Sequence, residues 1–264
     1  MLNSLYDILK SEDTRQTTTV YCCTECHTLF IDPIPYNYQS EENLINYYLP
    51  IRDPLMTRYN SVFKYVNNLG KKGKFLDIGC GIGYSLLVAQ DWKWEGVGIE
   101  PNPYLSNYSR FKFGLNIVND FFNIQDFPEN SFDFIMIDQV LEHLYDIHPF
   151  FEDVVSLLKP NGILMIGVPP VDWLRLLIAK IDPCIGKSRL PSNFFKTMSP
   201  NFRVFYDLEQ HVNYFTSRSM FKLVSLQKHF ILLPKFHHRM SRQIVCKMLR
   251  LSTGYFFIQK ENLF

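Results

Sequence analysis

The chain reads as an α/β protein on a doubly wound, mostly parallel sheet, and three observations carry that reading. Helix-like and strand-like segments alternate between residues 57 and 170, the order that gives a parallel sheet with helices on its faces. The strand-like segments are short apolar runs that end at turn signals, as strands buried on both faces should be. A length of 264 residues with 47% hydrophobic content suits one large domain, or one plus a small appendage. Such a composition excludes a disordered chain.

A helix is expected near 57–69, followed by Lys74-Phe75-Leu76-Asp77-Ile78-Gly79, an apolar run that stops at glycine. A helix over 84–92 leads to a second strand at 96–99, a third at 115–118 and a fourth at 132–137. After a helix around 149–158, Leu158-Lys159-Pro160-Asn161-Gly162 reads as a stop and turn, with the fifth strand at 163–168. Residues 171–215, rich in Phe, Pro and Leu, read as an inserted cap over the strand ends. A helix at 217–228 follows, and strand-like runs at 230–233 and 254–259 pair as a hairpin, completing a Rossmann-like seven-stranded sheet. Right-handed crossovers put the strand C-termini and the ligand crevice along one edge. The division expected is an N-terminal appendage over 1–56 and the main domain over 57–264.

The 27 Lys+Arg nearly balance 26 Asp+Glu, but unevenly. Residues 1–170 carry 12 basic and 21 acidic side chains, net −9, against 15 and 5 in 171–264, net +10. The second part therefore either faces something anionic, such as a phosphorylated metabolite, nucleic acid or lipid surface, or is a solvated basic surface. No nucleic-acid-binding module is recognisable. The six cysteines show no framework spacing, and the N-terminus lacks a basic region followed by an apolar one, so a reduced, cytoplasmic protein is expected. The most apolar stretch, 173–181, contains Arg175 and Lys180, so no transmembrane segment is expected.

Chemistry concentrates at Asp77-Ile78-Gly79-Cys80-Gly81-Ile82-Gly83, between a strand and a helix. Glycines there let the backbone turn tightly and let a ligand approach closer than a Cβ would permit. Dinucleotide binding requires G-x-G-x-x-G; here the spacing is G-x-G-x-G, and Tyr84 stands where the third glycine belongs. The aspartate before the loop suits a cationic ligand better than a pyrophosphate. Glu100, at the end of the next strand, is placed to accept ribose hydroxyls. The spacing favours S-adenosylmethionine, whose sulfonium and ammonium are both positive, over NAD.

These pieces, together with Asn130-Ser131-Phe132-Asp133-Phe134-Ile135, Val140-Leu141-Glu142-His143-Leu144, 157–164 and 209–216, resemble the class I S-adenosylmethionine-dependent methyltransferases over roughly residues 57–260. The resemblance implies that Asp77, Gly79, Cys80, Gly81 and Gly83 hold the methionine end. It gives Glu100 and Pro101 the ribose, Asp120 and Phe121 the adenine edge, and Gln139 the floor under the sulfonium. Tyr21-Cys22-Cys23-Thr24-Glu25-Cys26-His27, followed by Tyr47-Tyr48, resembles half of the zinc ribbon that precedes the domain in members associated with sugar-modifying pathways. Zinc needs four ligands. Only Cys23 and Cys26 form a knuckle, and residues 1–20 contain no Cys or His, so a zinc cofactor and a metal site are not expected.

Methyl transfer is mainly in-line positioning in a water-poor site, and a hydroxyl or carbon-acid acceptor gains from one general base. His143, past the fourth strand, and His211, at the end of the cap, are the candidate catalytic residues; each can instead be structural. The cap interleaves Lys180, Lys187, Arg189, Lys196 and Arg203 with Phe194, Phe195, Phe202 and Phe205, which reads as a lid over an anionic small-molecule acceptor. A sugar or nucleotide-linked acceptor is the expectation. O-methylation of a lipid or quinone-like acceptor and a non-catalytic cofactor-binding scaffold are the alternatives. The oligomeric state is open.

Overall fold

Apolar strands that bury both faces build the centre of the molecule. The computed structural model describes residues 2–10, 17–23, 28–32, 42–168, 211–215, 217–225, 230–232 and 254–260. The strands are β1 (Leu2–Lys10), β2 (Thr17–Cys23), β3 (Leu29–Asp32), β4 (Lys74–Ile78), β5 (Glu95–Ile99), β6 (Ile117–Val118), β7 (Phe132–Asp138), β8 (Leu158–Val168), β9 (Asn213–Tyr214), β10 (Phe230–Leu232) and β11 (Gly254–Lys260). The helices are α1 (Glu42–Tyr48), α2 (Arg52–Asn68), α3 (Tyr84–Asp91), α4 (Pro103–Phe113), α5 (Ile147–Leu157) and α6 (Ser217–Ser225).

The main sheet runs β10-β11-β8-β7-β4-β5-β6. From β8 to β6 the pairs are parallel, while β11 is antiparallel to both β8 and β10. This is the expected Rossmann-like α/β architecture, with the closing hairpin in its predicted place. Successive strand residues point to opposite faces, and both faces are covered. Leu76, Ile78, Ile135, Ile137, Leu164 and Ile166 join Phe151 and Val154 of α5 and Met220 and Leu223 of α6. On the other face Phe75, Phe134, Met136, Ile163 and Met165 join Val62, Phe63 and Val66 of α2 and Leu86 and Ala89 of α3.

The secondary-structure elements depart from expectation at three points. The stop and turn expected at 158–162 belongs to β8: Leu158 pairs with Phe132, and the register shifts before Phe134 meets Ile163. Asn161 takes φ +63 inside this irregularity, a conformation asparagine tolerates better than most residues. Helix α4 was not anticipated, although Asn102 caps it by accepting from Tyr104 N and Leu105 N, and Gly114 ends it in the left-handed region. A second sheet, β1-β2-β3-β9, was also not anticipated; Leu29 pairs with Tyr214 and Phe30 with Asn213. The division expected at 56/57 falls inside α2. Most of the expected cap, 171–210, lies outside the described residues, as do residues 226–228 of the expected C-terminal helix.

Candidate functional site

The loop from Gly79 to Gly83 leaves β4 at the C-terminal edge of the sheet. Gly79, Gly81 and Gly83 take φ of +75, +54 and +78. Gly79 N and Cys80 N both donate to Ile99 O, at 2.9 and 3.0 Å, which ties the loop to the end of β5. All three glycines are required by space as well as by φ, a Cβ at Gly83 lying 2.5 Å from Leu115 Cδ1. A Cβ at Gly79 would collide with Val140 Cγ2, and one at Gly81 would lie 2.8 Å from Tyr48 Oη. Tyr48 thus brings α1 over the loop, and its phenol is pushed upward in pKa chiefly by burial, with Glu100 adding to it.

Glu100 is 7% exposed and locked in place. Its Oε2 accepts from Gly81 N at 2.8 Å and its Oε1 from Asn102 N at 2.9 Å. Each carboxylate oxygen retains acceptor capacity, so the residue can meet a diol while it also holds the loop. Asn119 Nδ2 donates to Glu100 O at 2.9 Å and to Pro101 O at 3.0 Å, bringing the segment after β6 alongside. Asp120 and Phe121 follow there; Phe121 is 73% exposed, an open aromatic face of the kind on which a purine stacks, and Asp120 Oδ1 accepts from Phe121 N. Gln139 is exposed just past β7 at φ +60, its N–H donating to Gly167 O at 2.8 Å.

Beneath the loop the site is acidic. Asp77 is 2% exposed and accepts from Ser85 Oγ. Burial pushes its carboxyl up to about 8, and Asp138 and Glu100 add to this, against the Ser85 bond and Arg58. Asp138, at the end of β7, is paired with Arg58 of α2 and accepts from Tyr59 Oη at 3.1 Å. Even with Asp77 holding its proton, the Glu100 and Asp138 carboxylates against one guanidinium leave the strand ends negative, which fits a ligand carrying sulfonium and ammonium charges and opposes a pyrophosphate. The sequence reading missed Tyr48, Arg58, Tyr59 and Asp138 as site residues. The Tyr47-Tyr48 pair and the Asp138-Gln139 step before Val140 were the available signals.

Two residues past Val140 a second cluster begins. Glu142 is 1% exposed, and neither carboxylate oxygen has a partner among the described residues. His143 and His211 meet edge to face, with ring centroids 4.8 Å apart, so the structure does bring the two candidate histidines together. The segment from His211 is tied to the turn that carries Glu142: Val212 N donates to Glu142 O at 2.7 Å, and Asn213 Nδ2 donates to Leu144 O at 2.6 Å. Burial pushes Glu142 up to about 8 and pulls His211 down to about 3. At the N-terminus Cys23 closes β2, its N–H donating to Thr28 O at 2.9 Å; Cys26 and His27 lie outside the described residues.

The sequence profile of the methyltransferase domain family matches residues 53–226, from the start of α2 through α6. The chain belongs to this methyltransferase family. A ubiquinone biosynthesis O-methyltransferase of Bradyrhizobium diazoefficiens is 26% identical over 133 residues, 49% of this chain and 52% of that one. A trans-aconitate 2-methyltransferase of Escherichia coli O1:K1 / APEC is 34% identical over 103 residues, 38% of this chain and 40% of that one. The chain thus spans about half the length, or less, of these curated relatives. Among solved structures, the plantazolicin methyltransferase BpumL in complex with SAH is similar in fold, with a TM-score of 0.55 at 14% identity over 83% of this chain and 88% of that one. Among the described residues, no helix is long and apolar enough to cross a membrane.

Proposed function

We propose that this methyltransferase binds S-adenosylmethionine against the glycine loop and transfers its methyl group to an oxygen of a small-molecule acceptor. The observation that carries the reading is the glycine loop closed onto Glu100 above the buried acids Asp77 and Asp138, a negative, Cβ-free cradle. Glu100 would accept from the ribose hydroxyls, Phe121 would face the adenine, and Asp77 and Asp138 would balance the positive end. The bound cofactor supplies an electrophilic methyl group and leaves as S-adenosylhomocysteine. What this chain adds is orientation, exclusion of water and a place for the acceptor's proton. The Glu142-His143-His211 cluster, at the same sheet edge, is where that proton would go as the new oxygen–methyl bond forms. The activities named for the two relatives, O-methylation in ubiquinone biosynthesis and trans-aconitate methylation, support a small acceptor.

A second reading, a sugar or nucleotide-linked acceptor, is favoured by the net +10 charge of residues 171–264. In it the basic side chains of that segment would recognise an anionic acceptor.

S-adenosylhomocysteine release with phenolic, hydroxycarboxylate and nucleotide-sugar acceptors separates the readings. Turnover with either of the first two classes is expected, with His143→Ala lowering kcat by about 10²-fold or more while cofactor affinity stays within about twofold. Undiminished kcat in that variant would remove the cluster from the reaction. Turnover confined to nucleotide sugars would favour the second reading.

A further inference from the structure

The same cluster has a property that proton transfer does not require. One ligating atom each from Glu142, His143 and His211 lie within 4.8 Å of one another. Both Glu142 oxygens and His211 Nδ1 are buried without a partner among the described residues. Buried polar groups left without a partner are costly, and unpaired polar atoms on two side chains of one close cluster call for a partner that both can reach. The arrangement is also held from outside, by the Val212 and Asn213 bonds to the turn at 142–144 and by the pairing of β9 with β3. His143 is exposed, which leaves a path from solvent.

We propose that Glu142, His143 and His211 form a binding site for a divalent transition-metal ion of zinc's class. Two imidazoles and one carboxylate are a ligand set for zinc or iron rather than for magnesium, which favours all-oxygen shells. Ligand atoms around an ion bound at about 2.1 Å lie roughly 3–4 Å apart, so small side-chain rotations close the present spacing. Three protein ligands leave a coordination position open, as in catalytic rather than structural sites. An acceptor oxygen placed there would lose its proton more readily, and the Glu142 oxygen not bound to the ion would accept it. This role in acceptor activation rests on the function proposed above, but binding of the ion does not. The expectation that no metal would be found was drawn from the Cys23-Cys26 knuckle; the site proposed here uses other residues.

The test is Zn²⁺ uptake by the purified full chain after chelator treatment, measured by competition with a chromophoric chelator, together with the absorption spectrum of the Co²⁺-loaded protein. One Zn²⁺ per chain is expected, with affinity weakened at least about tenfold in both Glu142→Gln and His211→Ala, and with no thiolate-to-cobalt charge-transfer band. The near-isosteric Glu142→Gln provides the comparison if His211→Ala disturbs packing. Absence of uptake, uptake unchanged in both variants, or a thiolate band placing the ion on cysteine would each overturn the proposal. S-adenosylmethionine titration of the same samples reads the methyltransferase assignment separately, so failure of one reading is not failure of the other.

Discussion

Glu100→Ala is expected to lose both cofactor affinity and fold stability, because the carboxylate serves the loop and the ligand together. The substitution strips acceptors from two buried N–H groups, those of Gly81 and Asn102. At about 1–3 kcal/mol for each of the two unsatisfied groups, unfolding in urea should show a loss of roughly 2–6 kcal/mol. Loss of the ribose contact should weaken S-adenosylmethionine by about a further 1.5–3 kcal/mol in calorimetric titration. Glu100→Gln keeps the size and one carbonyl oxygen but turns an amide N–H₂ toward one of the backbone donors, so it should fall between. A destabilised Glu100→Ala that binds the cofactor normally would make Glu100 a loop anchor only.

Gly81→Val should be the most damaging single change at the site. Its backbone sits at φ +54, where a β-branched side chain costs at least about 1–2 kcal/mol. Its Cβ would also press to 2.8 Å on Tyr48 Oη. Tyr48 must then swing away and lift α1 from the loop. The expected result is a lowered Tm and no measurable cofactor binding, with Gly81→Ala intermediate in both. Normal affinity in Gly81→Val would place the ligand away from this loop.

Much of this was legible in the sequence because the determinants are local. Short apolar runs bounded by turn signals gave the central strands, and G-x-G-x-G after an aspartate gave the turn that binds Ile99 O. The N-terminal sheet was missed although its β1-β2 and β2-β3 pairs are local in sequence; its closure by β9, about 180 residues from β3, is the contact that no local pattern encodes. Helix α4 was legible in principle from Asn102, Pro103 and Gly114. Arg58 and Tyr59 were hidden because their role depends on Asp138, and the segment that holds them read simply as a helix. Glu142 is a further case: its significance lies in being buried without a partner opposite His211, which only the fold brings to it.

The chemistry at Asp77 gives the most direct test of the central claim, that the acidic cradle holds a cationic cofactor. With its carboxyl pushed up to about 8, the free protein carries this residue largely protonated at pH 7. The folded state keeps that proton up to about 8 while the unfolded chain loses it near 3.8. Stability contributed by this residue is therefore fully present at low pH and declines as pH rises across that interval. A cationic ligand favours the ionised form, so binding must expel the proton, and affinity must rise with pH until about 8. The measurement is titration of the protein with S-adenosylmethionine, S-adenosylhomocysteine and NAD in buffers of different ionisation enthalpy, repeated with Asp77→Asn. The account predicts binding of the first two and not of NAD, with proton release for S-adenosylmethionine that disappears in Asp77→Asn. Binding of NAD alone, or S-adenosylmethionine binding whose proton release is unchanged in Asp77→Asn, would contradict it.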